Sequence, residues 1–276
     1  MNKDSLGDRM KQYENVNRLY LTKRMPLIIR IDGKAFHSFT RGFQKPFDEV
    51  LIKTMQETAK YLCENIEGCK LAYTQSDEIS LLLTDYDQIE TQPWFDKNLL
   101  KIVSISASMA TLAFNSLFQK NIAISEEDEG IDLLPFNAEN NEKTNLYHSY
   151  WKSSYKGALF DARAFVLPKE EVCNYFIWRQ NDCTRNSIQM VAQSCFSHKE
   201  LQGKSCNELQ NMLLTKKDIN WNNFSIPEKR GSCCTKTQIE TIVDFRTGQE
   251  KNRLKWGIDY NIPIFKENRE YIESLI

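Results

Sequence analysis

The stretch Lys70–Thr84, KLAYTQSDEISLLLT, sets two hydrophobic runs on either side of a short acidic tip. Apolar and polar residues roughly alternate before Asp77 and Glu78, and an aliphatic run follows them, which is the pattern of a β-hairpin. Upstream, PLIIRIDGKAFHSF (Pro26–Phe39) opens with a β-rich run, Leu27–Ile31, that stops at Asp32-Gly33. A glycine after a strand-end aspartate suits a close backbone approach to a ligand. Between strand and hairpin, Asp48 is placed to cap a helix whose apolar residues Val50, Leu51, Met55, Ala59 and Leu62 recur at helical spacing, with Gly68 ending it.

A second helix is predicted over 97–119, apolar around much of its circumference and so buried against the sheet or a partner. The acidic, Asn-rich stretch 121–149 reads as a long insert or loop. GALFDARAFVLP (Gly157–Pro168) alternates as a strand and stops at proline, and a helix follows over 169–195. The order is β-α-β-β-α-β, an α+β, ferredoxin-like arrangement with an antiparallel sheet. It places Asp32 and the Asp77-Glu78 tip at neighbouring positions on one edge of that sheet. Residues 1–196 are expected to form this domain, and 197–276 an accessory region of short helices and strands packed on it.

The formal net charge of -1 hides an uneven distribution. Asn15–Phe47 carries Arg18, Lys23, Arg24, Arg30, Lys34, Arg41 and Lys45 against the single anion Asp32, whereas Ser125–Glu142 holds acids and no cation. A polyanion can dock on such a local basic face. No uninterrupted run of about 18 apolar residues occurs, so no membrane span is expected. Eight cysteines without paired C-x-x-C spacing read as reduced thiols, and three histidines argue against a His-rich metal centre. Any metal would rest on carboxylates, which points to Mg²⁺.

If Asp32 and Asp77 converge, two carboxylates with a backbone carbonyl can hold two Mg²⁺ ions about 3.5–4 Å apart, the clamp for an in-line phosphoryl displacement. A solvated acidic turn is the competing reading. Lys45 and Arg41 would neutralise a triphosphate or simply be solvated. Phe36 and Phe39 would stack on a base or belong to the core, and Ser76 would bond a phosphate or its own turn. His37 would touch nucleic acid or pack. Asp161 and Arg163 share a strand face and can pair with each other, and the basic loop Lys229-Arg230-Gly231 would meet phosphate.

Read in order, DSLGDRMKQYE, RIDGKAFHSFT, KPFDE, YTQSDEISLLL, FDARAFVLP, WRQNDCTRNS and HKELQGKS resemble the tRNA-histidine guanylyltransferase family over roughly residues 4–235. The resemblance implies a polymerase-like palm that adds nucleotides in the 3′–5′ direction to the 5′ end of tRNA. On its RxDGxxFHxF and SDE motifs, Asp32, the Gly33 carbonyl and Asp77 would hold two Mg²⁺ ions, with Glu78 beside them as a catalytic carboxylate. Gly33, Lys34, Ala35, Phe36, His37, Lys45, Ser76 and Asp77 would bind nucleotide. His37, Arg41, Asn186, Lys229 and Arg230 would meet RNA.

Where eukaryotic members carry WRQxDCHINN, this chain has Thr184 for the histidine and Ser187 for the final asparagine. That departure resembles the bacterial and archaeal guanylyltransferase-like branch, whose members repair 5′ ends against a template. The implied reaction activates a 5′-monophosphate with ATP, then transfers from GTP or another NTP at the acceptor stem. The resemblance further implies a homotetramer, and a start too polar for a signal peptide makes a cytoplasmic location the expectation. The alternatives are a strict tRNA-His guanylyltransferase, a palm-type nucleotide cyclase and a non-catalytic RNA-binding module.

Overall fold

The computed structural model of the chain describes residues 5–130, 142–243 and 250–276, with side chains over 238–251 outside the description. In order, the elements are α1 (Ser5–Asn15), β1 (Leu27–Gly33), α2 (Phe36–Phe39), α3 (Glu49–Asn65), β2 (Cys69–Gln75), β3 (Glu78–Leu83), α4 (Leu99–Asp128) and α5 (Glu142–Lys156). They continue with β4 (Phe160–Val166), α6 (Lys169–Cys195), α7 (His198–Leu201), α8 (Cys206–Lys217), α9 (Ile226–Arg230), β5 (Ser232–Val243), β6 (Glu250–Asp259) and α10 (Glu270–Glu273).

One antiparallel sheet has the strand order β4-β1-β3-β2-β5-β6. Its first four strands, with α3 and α4, make the predicted β-α-β-β-α-β unit. Period-two alternation sends Ile29, Ile31, Ile79 and Leu81 to the face covered by α3 and α4, where Met55, Leu62, Phe114 and Phe118 meet them. Ile28, Tyr73 and Leu82 face the other way, onto Phe176 of α6 and onto Phe265. Every residue of β3 is buried, which is why its sequence reads as an aliphatic run rather than an alternation.

Local chemistry sets the element ends. The Asp48 carboxylate accepts from the Leu51 N–H at 2.9 Å, capping α3 as its position predicted. Gly68 turns the chain into β2 at φ +76, and a Cβ there would sit 2.6 Å from the Thr84 carbonyl oxygen, so only glycine fits. At the opposite end of the sheet from the hairpin tip, the Lys97 ammonium donates to the carbonyls of Thr22 and Met25 and to the Asp85 carboxylate.

Two expectations change. The insert predicted over 121–149 is helical at both ends: α4 continues to Asp128 and α5 begins at Glu142, while residues 131–141 lie outside the described residues. The acids at the end of α4 find partners on α5, where the Trp151 indole N–H donates to Glu126 at 3.0 Å and Lys143 pairs with Glu129. Secondly, α4 is long and apolar enough, by length and composition, to cross a membrane. Its scattered serines and threonine hid this from a search for uninterrupted apolar residues. Ile102, Ala110, Phe114, Phe118 and Ile122 of α4 lie in the core, whereas Ile105 and Leu112 on another side, and Leu100 in the first turn, are exposed.

The region after residue 197 adds β5 and β6 to the sheet itself, with Tyr73 of β2 opposite Cys233 of β5. Further along, the Gln180 side chain grips the backbone at two points, donating to the Pro263 carbonyl at 2.9 Å and accepting from the Phe265 N–H at 2.9 Å. Phe265 is thereby seated edge-on against Tyr73, with ring centroids 5.6 Å apart. All eight cysteines are free thiols.

Candidate active site

Antiparallel pairing of β1 with β3 sets Asp32 opposite Glu78, so the two side chains share a sheet face. Beyond that pair, Ser76 and Asp77 form the two-residue hairpin tip, with Ser76 in the left-handed region at φ 50. The Gly33 N–H donates to the Asp77 carbonyl at 3.0 Å. Asp32, Gly33 and Asp77, separated by more than forty residues in sequence, are thus fixed at one end of the sheet.

The Asp77 carboxyl is pushed above the usual carboxylate range, first by burial and also by the negative charge of Asp32. The Ser76 hydroxyl, donating to Asp77 Oδ1 at 3.1 Å, and a backbone hydrogen bond oppose that push. Among the described residues no ion pair reaches Asp32 or Asp77. Two clustered carboxylates without a cationic partner fit a divalent cation. No ready-made set of three or more protein ligands occurs among the described residues. A cation held by Asp32 and Asp77 would therefore take the rest of its shell from water and substrate phosphates.

A cavity of about 520 Å³ opens beside these residues, lined by Gly33, Ala35, Phe36, His37, Lys45, Ser76 and Asp77 among others. Ala35 takes a left-handed conformation at φ 54 and starts α2. Lys34 and His37 are exposed, as are Lys45 and Arg41, and Arg41 lies outside the cavity lining. The His37 imidazole lies within hydrogen-bond distance of the neighbouring Ser38 hydroxyl, at 3.1 Å.

Phe36 is placed differently from a base-stacking residue. Its ring is buried among Phe39, Phe114 and Phe160, and it lies directly under Gly33, where a Cβ would come within 2.2 Å of the ring. The glycine of RIDG therefore admits the core ring as well as leaving the backbone open to a ligand. Phe39 is buried in the same aromatic cluster.

Glu78 is also placed differently from a free catalytic carboxylate. Both its oxygens are taken by Arg179 of α6, at 2.7 and 2.8 Å, in a pair that is almost wholly buried. Burial raises the Glu78 carboxyl, and Arg179 and Arg30 pull it back down. Arg179 also bonds Asp182 at 3.0 Å and lies against the exposed Trp178 ring. Arg179 lies in the WRQ stretch, where composition and spacing assign it no role. Its only local signal was the i, i+3 spacing to Asp182.

The other RNA candidates divide. The Asn186 amide contacts Asp182 at 3.4 Å and lines a second small cavity with Ser76, Ser187 and Met190. The Lys229 ammonium is committed to the Asn222 carbonyl at 2.6 Å and sits over the Trp221 ring. Arg230 supplies its carbonyl to the Tyr73 hydroxyl. Ser187 is buried and accepts from the Trp221 indole N–H at 3.0 Å, so this departure from the eukaryotic motif has an internal partner. Asp161 and Arg163 pair with each other at 3.8 Å.

The model of the tRNAHis guanylyltransferase family matches residues 7–168. A bacterial tRNAHis guanylyltransferase-like protein solved with ATP is 44% identical, covers 99% of each chain and superposes with a TM-score of 0.77. A structure of such a bacterial protein with GTP is 42% identical, with 99% of each chain covered and a TM-score of 0.74. The tRNA(His) guanylyltransferase of Debaryomyces hansenii is 30% identical over 236 residues, which span 81% of this chain and 77% of that one.

Proposed function

The chain belongs to the tRNAHis guanylyltransferase family of nucleotidyltransferases, and on that premise we propose that it adds nucleotides 3′–5′ to the 5′ end of tRNA, restoring missing residues against the opposite strand as template. The observation that carries this reading is the hydrogen-bonded junction of Gly33 and Asp77, next to Asp32, where Gly33 and Asp77 line a cavity of about 520 Å³. ATP and GTP are the nucleotides present in the bacterial relatives' structures, and they are substrates in this reading.

In the first step an oxygen of the RNA 5′-monophosphate attacks the α-phosphorus of ATP and pyrophosphate leaves. In the second, the 3′-hydroxyl oxygen of an incoming NTP attacks the activated 5′-phosphorus and AMP leaves. Asp32, the Gly33 carbonyl and Asp77 are the residues that would hold two Mg²⁺ ions. When bound, Mg²⁺ supplies charge neutralisation on the phosphates and a lower pKa for the attacking hydroxyl. Lys45 and Ser76 bind the triphosphate at the cavity rim, and Lys34, Ala35 and His37 line the approach. Phe36 acts from beneath, as the floor under Gly33.

On the RNA side, exposed His37 and Arg41 contact the acceptor stem, with Asn186 near the second cavity. Lys229 and Arg230 support that surface through the fold. The exposed apolar side of α4, with Leu112 and Leu159, is the interface of a homotetramer located in the cytoplasm.

The test incubates the chain with Mg²⁺, labelled ATP, GTP and tRNAs truncated at the 5′ end. Lengthening of both tRNA-His and an unrelated truncated tRNA supports repair, and a cyclic nucleotide as sole product overturns it. The name of the Debaryomyces hansenii relative favours a second reading, strict guanylyl addition to tRNA-His, which exclusive use of that tRNA would establish.

A further inference from the structure

Four carboxylates crowd one end of the sheet: Asp32, Asp77, Glu78 and, opposite Asp32 on β4, Asp161. Asp161 pairs with Arg163 and Glu78 with Arg179, and among the described residues Asp32 and Asp77 have no ion pair. Glu78 follows Asp77 in sequence and faces Asp32 across the β1–β3 ladder. Directly opposed residues on one sheet face hold their Cβ atoms about 4.5–5.5 Å apart, close enough for two carboxylates to chelate one ion. An uncommitted Glu78 would therefore offer a divalent cation a rival position, between Asp32 and Glu78 rather than between Asp32 and Asp77.

Arg179 removes that rival. Its Nε donates to Glu78 Oε1 at 2.7 Å and its Nη2 to Oε2 at 2.8 Å, so both carboxylate oxygens are engaged by a planar fork. The guanidinium is in turn braced by Asp182 at 3.0 Å and by the Trp178 ring at 4.5 Å. From the strand side, the Ser80 hydroxyl approaches Glu78 Oε1 at 3.4 Å and is tied to the Tyr175 hydroxyl of α6 at 2.7 Å. The second cation, Arg30, stands off at 4.0 Å from Oε2, too far to substitute for the fork.

We infer that Arg179 is a positioning residue that selects the metal-binding carboxylates: by engaging Glu78 it leaves Asp32 and Asp77 as the pair that holds a divalent cation, and it locks the hairpin tip to α6. This rests on the proposed two-carboxylate site. A residue that merely packs would contribute equally whether position 78 is charged or neutral. A selecting residue is needed only while Glu78 carries a charge, and that difference separates the two roles.

The experiment compares the full chain as wild type, R179M, E78Q and the double variant R179M/E78Q. Each is titrated calorimetrically with Mg²⁺ alone and assayed for 5′ nucleotide addition. R179M is expected to change Mg²⁺ affinity about 10-fold and to lower kcat about 10- to 100-fold, with KM for ATP little changed. E78Q and the double variant are expected to restore wild-type Mg²⁺ affinity, and the double variant to recover most of the kcat lost in R179M. A double variant as impaired as R179M in both readouts overturns the inference, and so does an R179M isotherm identical to wild type. If R179M does not fold, R179K takes its place, because a single ammonium cannot engage both oxygens and must show the same direction of change. Wild-type protein that binds Mg²⁺ but extends no RNA refutes the proposed reaction alone, since the isotherms still decide the role of Arg179.

Discussion

The backbone N–H of Gly33 donates to the carbonyl of Asp77 at 3.0 Å, which makes the end of β1 and the tip of the hairpin one hydrogen-bonded unit. The carboxylates of Asp32 and Asp77 are consequently placed by backbone rather than by flexible side chains.

Because that backbone contact does not involve the Asp77 side chain, Asp77→Ala should leave the fold intact. We expect nucleotide addition to fall at least about 100-fold while tRNA binding stays within about 3-fold of wild type. A 5′-extension assay and a filter-binding titration check the two halves separately. Undiminished extension would remove Asp77 from the site.

Gly33→Ala tests the close approach to Phe36. With a Cβ 2.2 Å from the ring, the ring or β1 must move, and we expect a loss of about 1–3 kcal/mol in unfolding free energy. Phe36→Leu in the same chain should return part of it. Equal stability of wild type and Gly33→Ala in urea would contradict the observed packing.

Asp48 gives a pH dependence of defined sign. Burial raises its carboxyl above the ordinary value of 3.8, against hydrogen bonds from the Tyr150 hydroxyl and the Leu51 and Gln44 amides. The folded chain then holds this proton to higher pH than the unfolded chain does. The stability contributed is fully present below 3.8 and is lost as pH rises through the folded value. Asp48→Asn keeps the cap and removes the titration, so wild-type stability minus that of Asp48→Asn should decline as pH climbs upward from 3.8. Chemical unfolding at a series of pH values measures it, and parallel curves would refute it.

Lys97→Ala should be severe although it lies at the far end of the sheet. It strips the buried Asp85 of its cation and two carbonyls of a donor. A loss of about 3–5 kcal/mol is expected by chemical denaturation. A loss under about 1 kcal/mol would mean that water replaces the ammonium.

Leu112→Glu addresses the outer side of α4. Leu112 is 64% exposed and Leu159 56%, and the two line one open groove beside α4. Light scattering should show the proposed tetramer for wild type and a smaller species for the variant. The same mass for both would place the interface elsewhere.

The β-α-β-β-α-β order was legible because each element carries its own local signal: the Asp48 cap, the aliphatic β3, the proline after β4. The meeting of Asp32 and Asp77 followed, since a ferredoxin-like order brings those strand ends together. What stayed hidden depends on partners distant in sequence. Nothing near Glu78 announces Arg179, a hundred residues away, and nothing near Phe36 distinguishes a core ring from a stacking one. Helix α5 was obscured by its polar composition, although Tyr147, Tyr150 and Ser154 are spaced for one buried side. Lys229 showed charge in sequence and a committed ammonium in the structure.

The grip of Gln180 on the backbone around Phe265 has a consequence for the timing of assembly. Synthesis proceeds from the N-terminus, so the four strands that carry Asp32 and Asp77 leave the ribosome well before β5, β6 and Phe265. Until those later segments arrive, the open edge of β2 has no strand beside it and Tyr73 has no aromatic neighbour in Phe265. A nascent chain can thus pair its first four strands early, but the free edge of β2 is covered only once the downstream strands are out.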